Sequence, residues 1–292
     1  MLLQPEYNGK NLLGIDFEEW FHPQLVQKHI PKKKHELKIS QGIDKILDWL
    51  RERETFATFF MVGELLEEKP ELLDKIIENG HEIAFHTMNH NRLDDENFKE
   101  KFKDELDRFD DLTSGRSRGF RAPTFSLNKN SSWAIDYLIE KNYLYDSSIV
   151  PAQTKLYGFS NAEISPYRIS SENLLNNNNN DHNSLIEFPL LISKILGKKI
   201  PSGGGFFLRF LPLKIIEKGI KTYEKLQIPS TFYIHSWELT PEFMPEITLS
   251  KKDQFITFHN IQKTYDKMDK LLKRYDFTSF EKFIQQMPEE FH

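Results

Sequence analysis

Short apolar runs alternate along this chain with longer stretches in which apolar residues recur every three or four positions. "NLLGIDF" (11–17) closes an apolar run on an acid, the pattern of a buried strand whose carboxyl end faces a site. "SQGIDKILDWLRER" (40–53) sets Ile43, Ile46, Leu47 and Leu50 at helical spacing, with Ser40 expected as its N-cap. "TFATFFMVG" (55–63) predicts a second strand, and "KPELLDKIIENG" (69–80) a second helix, opened by Pro70 and stopped by Gly80. The cycle continues through strand "HEIAF" and a charged helix from about Asp95 to Leu112 striped with Phe98, Phe102, Leu106 and Phe109. "RGFRAP", a helix around Trp133 to Lys141, and "LYDSSI" repeat it. After Ser170 the rhythm breaks at "SSENLLNNNNNDHNS", a polar low-complexity stretch read as a loop insertion at about 171–184. "LIEFPL" (185–190), a helix through 212–226, the strand "STFYIHSW" (230–237) and two terminal helical segments complete the pattern. Strands alternating with helices predict an α/β fold, a parallel sheet or a (β/α) barrel, with functional groups at the strand C-terminal ends. Nothing in the rhythm asks for a domain boundary, so residues 1–292 are expected to form one domain.

Composition narrows the chemistry. The chain has no cysteine, which removes disulfides, thiolate metal sites and a Cys nucleophile, so any metal must be held by His, Asp or Glu. A net charge of -5 over a mixed Lys/Glu background, without a basic block, excludes an electrostatic footprint for nucleic acid. The start "MLLQPEYNGKNLLGIDF" has no basic region followed by an apolar core and cleavage site, and no run of about 18 apolar residues follows. A soluble, cytoplasmic protein without a transmembrane segment is the expectation; oligomeric state is not legible.

The polar residues at the expected strand ends form an unusual set. Asp16, Glu18 and Glu19 follow the first strand, His86 and His90 the third, Arg121 a later one, and His235 lies near the end of the last. A barrel or open sheet would bring them to one rim. Two imidazoles and a carboxylate suit Zn²⁺ or another divalent ion, with positions left for water and substrate. A His-x-x-x-His pair alone is weak evidence, and "HTMNH" lacks the Glu between its histidines that a zincin helix carries.

Specificity comes from the order of the pieces. "GIDFEEWFH", "TFFMVGELLEEKPELLDKIIENGHEIAFHTMNH", "GFRAPTFS", "YLYDSS" and "FYIHSWE" follow one another as they do in the polysaccharide deacetylase family, the NodB-homology or carbohydrate esterase 4 type. The chain resembles that family from about residue 11 to 238, and "GGGFFLRFLP" and "YDFTSFEKFI" resemble a branch linked to exopolysaccharide biosynthesis. The resemblance implies a distorted (β/α)7 barrel and a metal-dependent hydrolase. Its substrate would be an N-acetylated amino-sugar polysaccharide or its precursor, with metal-bound water attacking the acetamide carbonyl.

Carried over position by position, the resemblance makes Asp16 the catalytic base and Glu18, His86 and His90 the ligands of a divalent metal, Zn first, with Co, Ni or Mn as alternatives. The family commonly has two adjacent Asp residues where this chain has Asp-Phe-Glu-Glu, so Glu19 stands as the alternative ligand and a metal-free site as the alternative state. Arg121 would orient the base. Thr124 stands where the family usually has an aromatic residue whose backbone N–H helps bind the oxyanion. His235 would be the general acid, with Asp146 orienting it, and Trp237 is a candidate for stacking on a sugar ring. His81 is expected to be structural, Glu19 solvated and His22 near the pocket without a role. The Asp-Phe-Glu-Glu departure keeps open a metal-independent amidohydrolase acting on a small cyclic or linear amide. A non-catalytic carbohydrate-binding barrel is the alternative from another class.

Overall fold

All seven residues of β1 (Asn11–Phe17) are buried, which a strand achieves only when it lies inside a sheet covered on both faces. The computed structural model describes residues 8–31, 35–177 and 183–287; part of the expected insertion, 178–182, lies outside the described residues. The remaining strands are β2 (Thr58–Met61), β3 (Glu82–Phe85), β4 (Gly119–Phe120), β5 (Tyr145–Asp146), β6 (Tyr167–Ile169), β7 (Leu185–Glu187), β8 (Ile192–Ile195), β9 (Lys198–Pro201), β10 (Thr231–His235) and β11 (Phe277–Thr278). The main sheet runs β10-β1-β2-β3-β4-β5-β7-β6, with β11 added beside the start of β1. From β10 to β7 neighbouring strands are parallel; β6 is antiparallel to β7. Beyond β7 the chain returns to β10 through single bridges, Leu190 to Thr231 and Gly204 to Tyr233, which curl the sheet into a distorted barrel.

Gly204 makes that closure possible. Its φ of 149° lies outside ordinary L-residue space, and a Cβ there would stand 1.8 Å from the Tyr233 carbonyl oxygen.

The helices turn the expected apolar stripes inward. Ile43, Ile46, Leu47 and Leu50 of Ile39–Glu52 are buried, as are Phe98, Phe102, Leu106 and Phe109 of Phe98–Thr113. Ser40 is not the N-cap: it falls inside the helix, which begins at Ile39. Glu19 Oε1 instead accepts the backbone N–H groups of Lys38 (2.5 Å) and Ile39 (2.7 Å). A charged acceptor brought in from another loop satisfies the helix start better than the local hydroxyl. Glu19 is therefore buried, not solvated, and burial pushes its carboxyl up to about 7 despite those donors.

Three features had no sequence signal: the short helix Glu64–Glu68, the antiparallel β6 and the β8–β9 hairpin. The strand expected over 230–237 stops at His235, and Ser236–Leu239 winds into one helical turn. Among the described residues no helix is long and apolar enough to cross a membrane.

Candidate active site

Parallel register sets the site. Asp16 pairs across β1 with His235 of β10, while His86 follows β3 and Arg121 follows β4 directly, so all four emerge at one end of the barrel. His86 and His90 lie in the loop after β3, where Thr87 (φ 59°) and His90 (φ 56°) take left-handed backbone that folds the second imidazole back towards the first. The two ring centroids are 5.1 Å apart.

Arg121 crosses the barrel interior to reach Asp16. Its Nη1 donates to Asp16 Oδ1 at 2.6 Å, Nε to the Ser147 carbonyl at 2.9 Å and Nη2 to Ser147 Oγ at 2.9 Å. The guanidinium also lies 3.8 Å from the centre of the Phe60 ring. The side chain is fully buried, a location that a guanidinium tolerates only with its donors satisfied. Gly14 supplies the space: a Cβ on it would lie 2.5 Å from Arg121 Nη1.

Both site histidines bring a ring nitrogen within 4.8 Å of a Glu18 carboxylate oxygen. His86 Nδ1 sits 2.7 Å from the Arg121 carbonyl oxygen, which can only accept, so Nδ1 carries the proton and Nε2 keeps its lone pair. Burial holds His86 down at about 4, against the opposing pull of Asp16, so it is neutral at pH 7. His90 Nε2 lies 2.7 Å from Glu18 Oε2, while His90 Nδ1 has no hydrogen-bond partner among the described residues. Glu18, His86 and His90 are all buried and offer one ligand atom each, mutually within 4.8 Å. Burial alone would raise the Glu18 carboxyl, but His90, His235 and His22 hold it well below the usual carboxylate range. A buried carboxylate and two buried imidazoles with ligand atoms this close fit a divalent cation, and the N,N,O donor set suits Zn²⁺. Glu19 turns the other way, onto its helix start.

Glu18 is itself held. Trp237 Nε1 donates to Oε1 at 2.9 Å, and Ser236 Oγ both accepts from Glu18 N (3.1 Å) and donates to Glu18 O (2.7 Å). Trp237 also stacks on His235, centroids 4.8 Å apart at 14°, so one face of the expected sugar platform is already covered. His22 stands behind His90, ring on ring at 5.8 Å, accepting from Glu19 N and reaching Glu64 Oε1 at 2.6 Å.

His235 does not meet Asp146. Its Nδ1 lies 2.8 Å from Glu238 Oε2, and Glu238 ion-pairs at 2.7 Å with the buried Arg209. Burial would lower the imidazole, but Glu238 overrides it and His235 is pushed up to about 9. Asp146, on β5, instead takes Ser148 Oγ at 2.5 Å; that hydroxyl accepts from Ala122 N at 2.8 Å, which fixes the loop after Arg121. Asp146 lies beside Glu187 in the sheet, and burial raises both carboxyls. The reason for the difference is spatial: Asp146 sits in the middle of the sheet, whereas Glu238 is three residues from His235 on the same turn.

A cleft of about 220 Å³ collects Asp16, Glu18, His86, His90, Thr124 and His235. Thr124 stands on its wall with a left-handed φ of 54°. His81 lies away from it, its Nδ1 accepting from Ala57 N. Glu238 and Arg209 were not expected from the sequence. The available signals were an acid three residues after a strand-end His and a single charge inside the apolar run "FFLRF".

Residues 33–138 match the family described as polysaccharide deacetylase, and residues 147–285 match a domain of unknown function, DUF3473. A peptidoglycan-N-acetylglucosamine deacetylase of Bacillus cereus is 46% identical over 46 residues, 16% of this chain and 22% of that protein. A chitooligosaccharide deacetylase of Sinorhizobium fredii is 41% identical over 46 residues, 16% of this chain and 21% of that protein. The chain thus matches about a fifth of the length of these curated relatives. In fold, a candidate polysaccharide deacetylase from Mycobacterium smegmatis superposes with a TM-score of 0.57 at 15% identity, covering 96% of this chain and 91% of that one.

Proposed function

From a chain whose residues 33–138 match the polysaccharide deacetylase family, we propose a metal-dependent hydrolase that removes N-acetyl groups from an amino-sugar polysaccharide or its precursor. The observation that carries the proposal is the buried cluster of Glu18, His86 and His90, whose ligand atoms lie within 4.8 Å of one another in one cleft with Asp16 and His235.

Glu18 Oε2, His86 Nε2 and a ring nitrogen of His90 would hold the ion, Zn²⁺ first, with Co²⁺, Ni²⁺ or Mn²⁺ compatible with the same donors. When bound, it supplies Lewis acidity towards the acetamide carbonyl. The chain's own groups divide the proton work. Asp16, fixed through Oδ1 by Arg121, takes the proton of the attacking water. His235, held as imidazolium by Glu238, gives a proton to the departing amine through Nε2. Thr124 walls the cleft where the acetamide would sit.

Elemental analysis beside an acetate assay on N-acetylglucosamine oligomers tests this in wild type and in His86→Ala/His90→Ala. About one ion per chain with acetate release, both lost in the variant, is the expected result. Wild type that stays metal-free in added Zn²⁺ or Ni²⁺ yet cleaves a small amide refutes it.

A further inference from the structure

Behind the Arg121–Asp16 pair, two carboxyls lie side by side in the sheet. Asp146 of β5 and Glu187 of β7 are register partners on parallel strands, so their side chains leave the sheet on the same face, and both are fully buried. Asp146 accepts from Ser148 Oγ at 2.5 Å and from Ser148 N at 3.3 Å, and Glu187 Oε1 accepts from Ile149 N at 2.9 Å. Glu187 Oε2 meets no N–H or O–H group among the described residues, and the group within hydrogen-bonding reach of its carboxyl is the Asp146 carboxyl. The cation that faces the two, Arg121, gives its donors to Asp16 and Ser147. Tyr167 of β6, opposite Glu187, gives its hydroxyl to the Leu174 carbonyl at 2.7 Å. Two adjacent buried carboxyls without a donor between them cannot both stay ionised; a single proton turns their repulsion into a hydrogen bond.

We infer that Asp146 and Glu187 share one proton and, as a unit, position the Arg121–Thr124 segment that serves the catalytic base and the cleft wall. The inference rests on the proposed deacetylase reading for what is positioned, and adds two positioning residues to it. Together the carboxyls hold the turn after β5, at Ser148 N and Oγ and at Ile149 N. That turn presents Ser147 O and Oγ to the Arg121 guanidinium and Ser148 Oγ to Ala122 N. A shift of the turn therefore moves both the donor that fixes Asp16 and the backbone leading to Thr124. Neither carboxyl lines the cleft, so the pair acts through Arg121 and Ala122 and touches no substrate. Burial raises both carboxyls; Asp146 raises Glu187 further, while the Arg121 charge pulls Asp146 back, so the proton sits on Glu187.

Two substitutions test the pair. Glu187→Gln supplies a permanent hydrogen in place of the shared one, whereas Glu187→Leu fills similar space and supplies none. At pH 8 the infrared difference between wild type and Glu187→Gln should contain the C=O stretch of a protonated carboxyl. On N-acetylglucosamine oligomers, kcat should fall more than about tenfold in Glu187→Leu at unchanged KM, and return to within about threefold of wild type in Glu187→Gln. The Nε–H resonance of Arg121, assigned by its loss in Arg121→Lys, reads the position of the guanidinium without turnover; it should shift in Glu187→Leu and hold in Glu187→Gln. Should Glu187→Leu not fold, Ser148→Ala cuts the link to Ala122 while leaving the two carboxyls, and the same fall in kcat is expected with the infrared band retained. Absence of the band, a Glu187→Leu or Ser148→Ala enzyme within about threefold of wild-type kcat, or a Glu187→Gln enzyme as impaired as Glu187→Leu overturns the inference. If wild type releases no acetate, the deacetylase reading fails, while the infrared band and the Arg121 resonance still decide whether the pair shares a proton and holds the guanidinium.

Discussion

Glu238→Gln isolates the residue that orients the proposed general acid. The substitution keeps the side-chain volume and removes one charge from a largely buried chain of contacts: Arg209 Nε to Glu238 Oε1 at 2.7 Å, and Glu238 Oε2 to His235 Nδ1 at 2.8 Å and to His235 N at 3.1 Å. Taking one partner from a buried ion pair typically costs about 3–5 kcal/mol, because the remaining charge is left uncompensated. Arg209 retains its bonds to the carbonyls of His259 (2.9 Å) and Ile256 (3.0 Å), which places the expected loss near the lower end, about 3 kcal/mol. Urea unfolding reads it as a lower midpoint at unchanged slope. The catalytic consequence is separate. Positioned proton transfer is worth roughly 10²–10⁴-fold, and a Gln that still accepts at Oε1 but carries no charge should forfeit about 10²-fold in kcat. KM should hold, since Glu238 does not line the cleft. Arg209→Met is the control: it destabilises similarly but leaves the Glu238–His235 contact, so kcat should fall less than about tenfold. Acetate release under saturating substrate separates the two. A Glu238→Gln enzyme within about threefold of wild-type kcat, or an Arg209→Met enzyme equally impaired, would show that the pair acts on stability and not on His235.

Three other perturbations follow from the same contacts. Arg121→Lys keeps a charge near Asp16 but cannot also serve Ser147 O and Ser147 Oγ; thermal and urea unfolding should show a loss of about 2–4 kcal/mol, and kcat should drop more than about tenfold. His81 is held neutral by burial and by the charge of Lys282, titrating at about 4 when folded against 6.5 ordinarily. The unfolded chain therefore binds the extra proton first, and about 3 kcal/mol of stability present above pH 6.5 is lost as pH falls towards 4. His81→Gln should flatten that part of the stability-pH curve, and an unchanged curve would contradict the assignment. Gly204→Ala forces a Cβ against the Tyr233 carbonyl at a φ of 149°, and should cost more than about 3 kcal/mol by urea unfolding or prevent soluble expression.

Local patterns carried most of the architecture. β1, the stripe of the Ile39–Glu52 helix and the stripe of the Phe98–Thr113 helix all stand where periodicity put them, because burial of an apolar face depends on spacing that any neighbour can satisfy. The order of motifs pointed to the polysaccharide deacetylase family, whose model matches residues 33–138. Caps and partners were less legible. Ser40 had the right local chemistry for an N-cap, and Glu19 took the position from twenty residues away. Asp146 had the right residue type for orienting His235 and was committed to Ser148 instead.

What the sequence determined by itself is the inventory: which acids, histidines and arginine end the strands, and that strands and helices alternate. Tertiary structure alone decided their pairing. It turned Glu18 towards His86 and His90 and Glu19 away, threaded Arg121 past Gly14 to Asp16, gave His235 to Glu238, and set Asp146 beside Glu187. The physical reason is that hydrophobic periodicity is a property of one segment, whereas hydrogen bonds and ion pairs are directional and short-ranged, so their partners exist only once the barrel has brought distant strand ends within about 3 Å of each other.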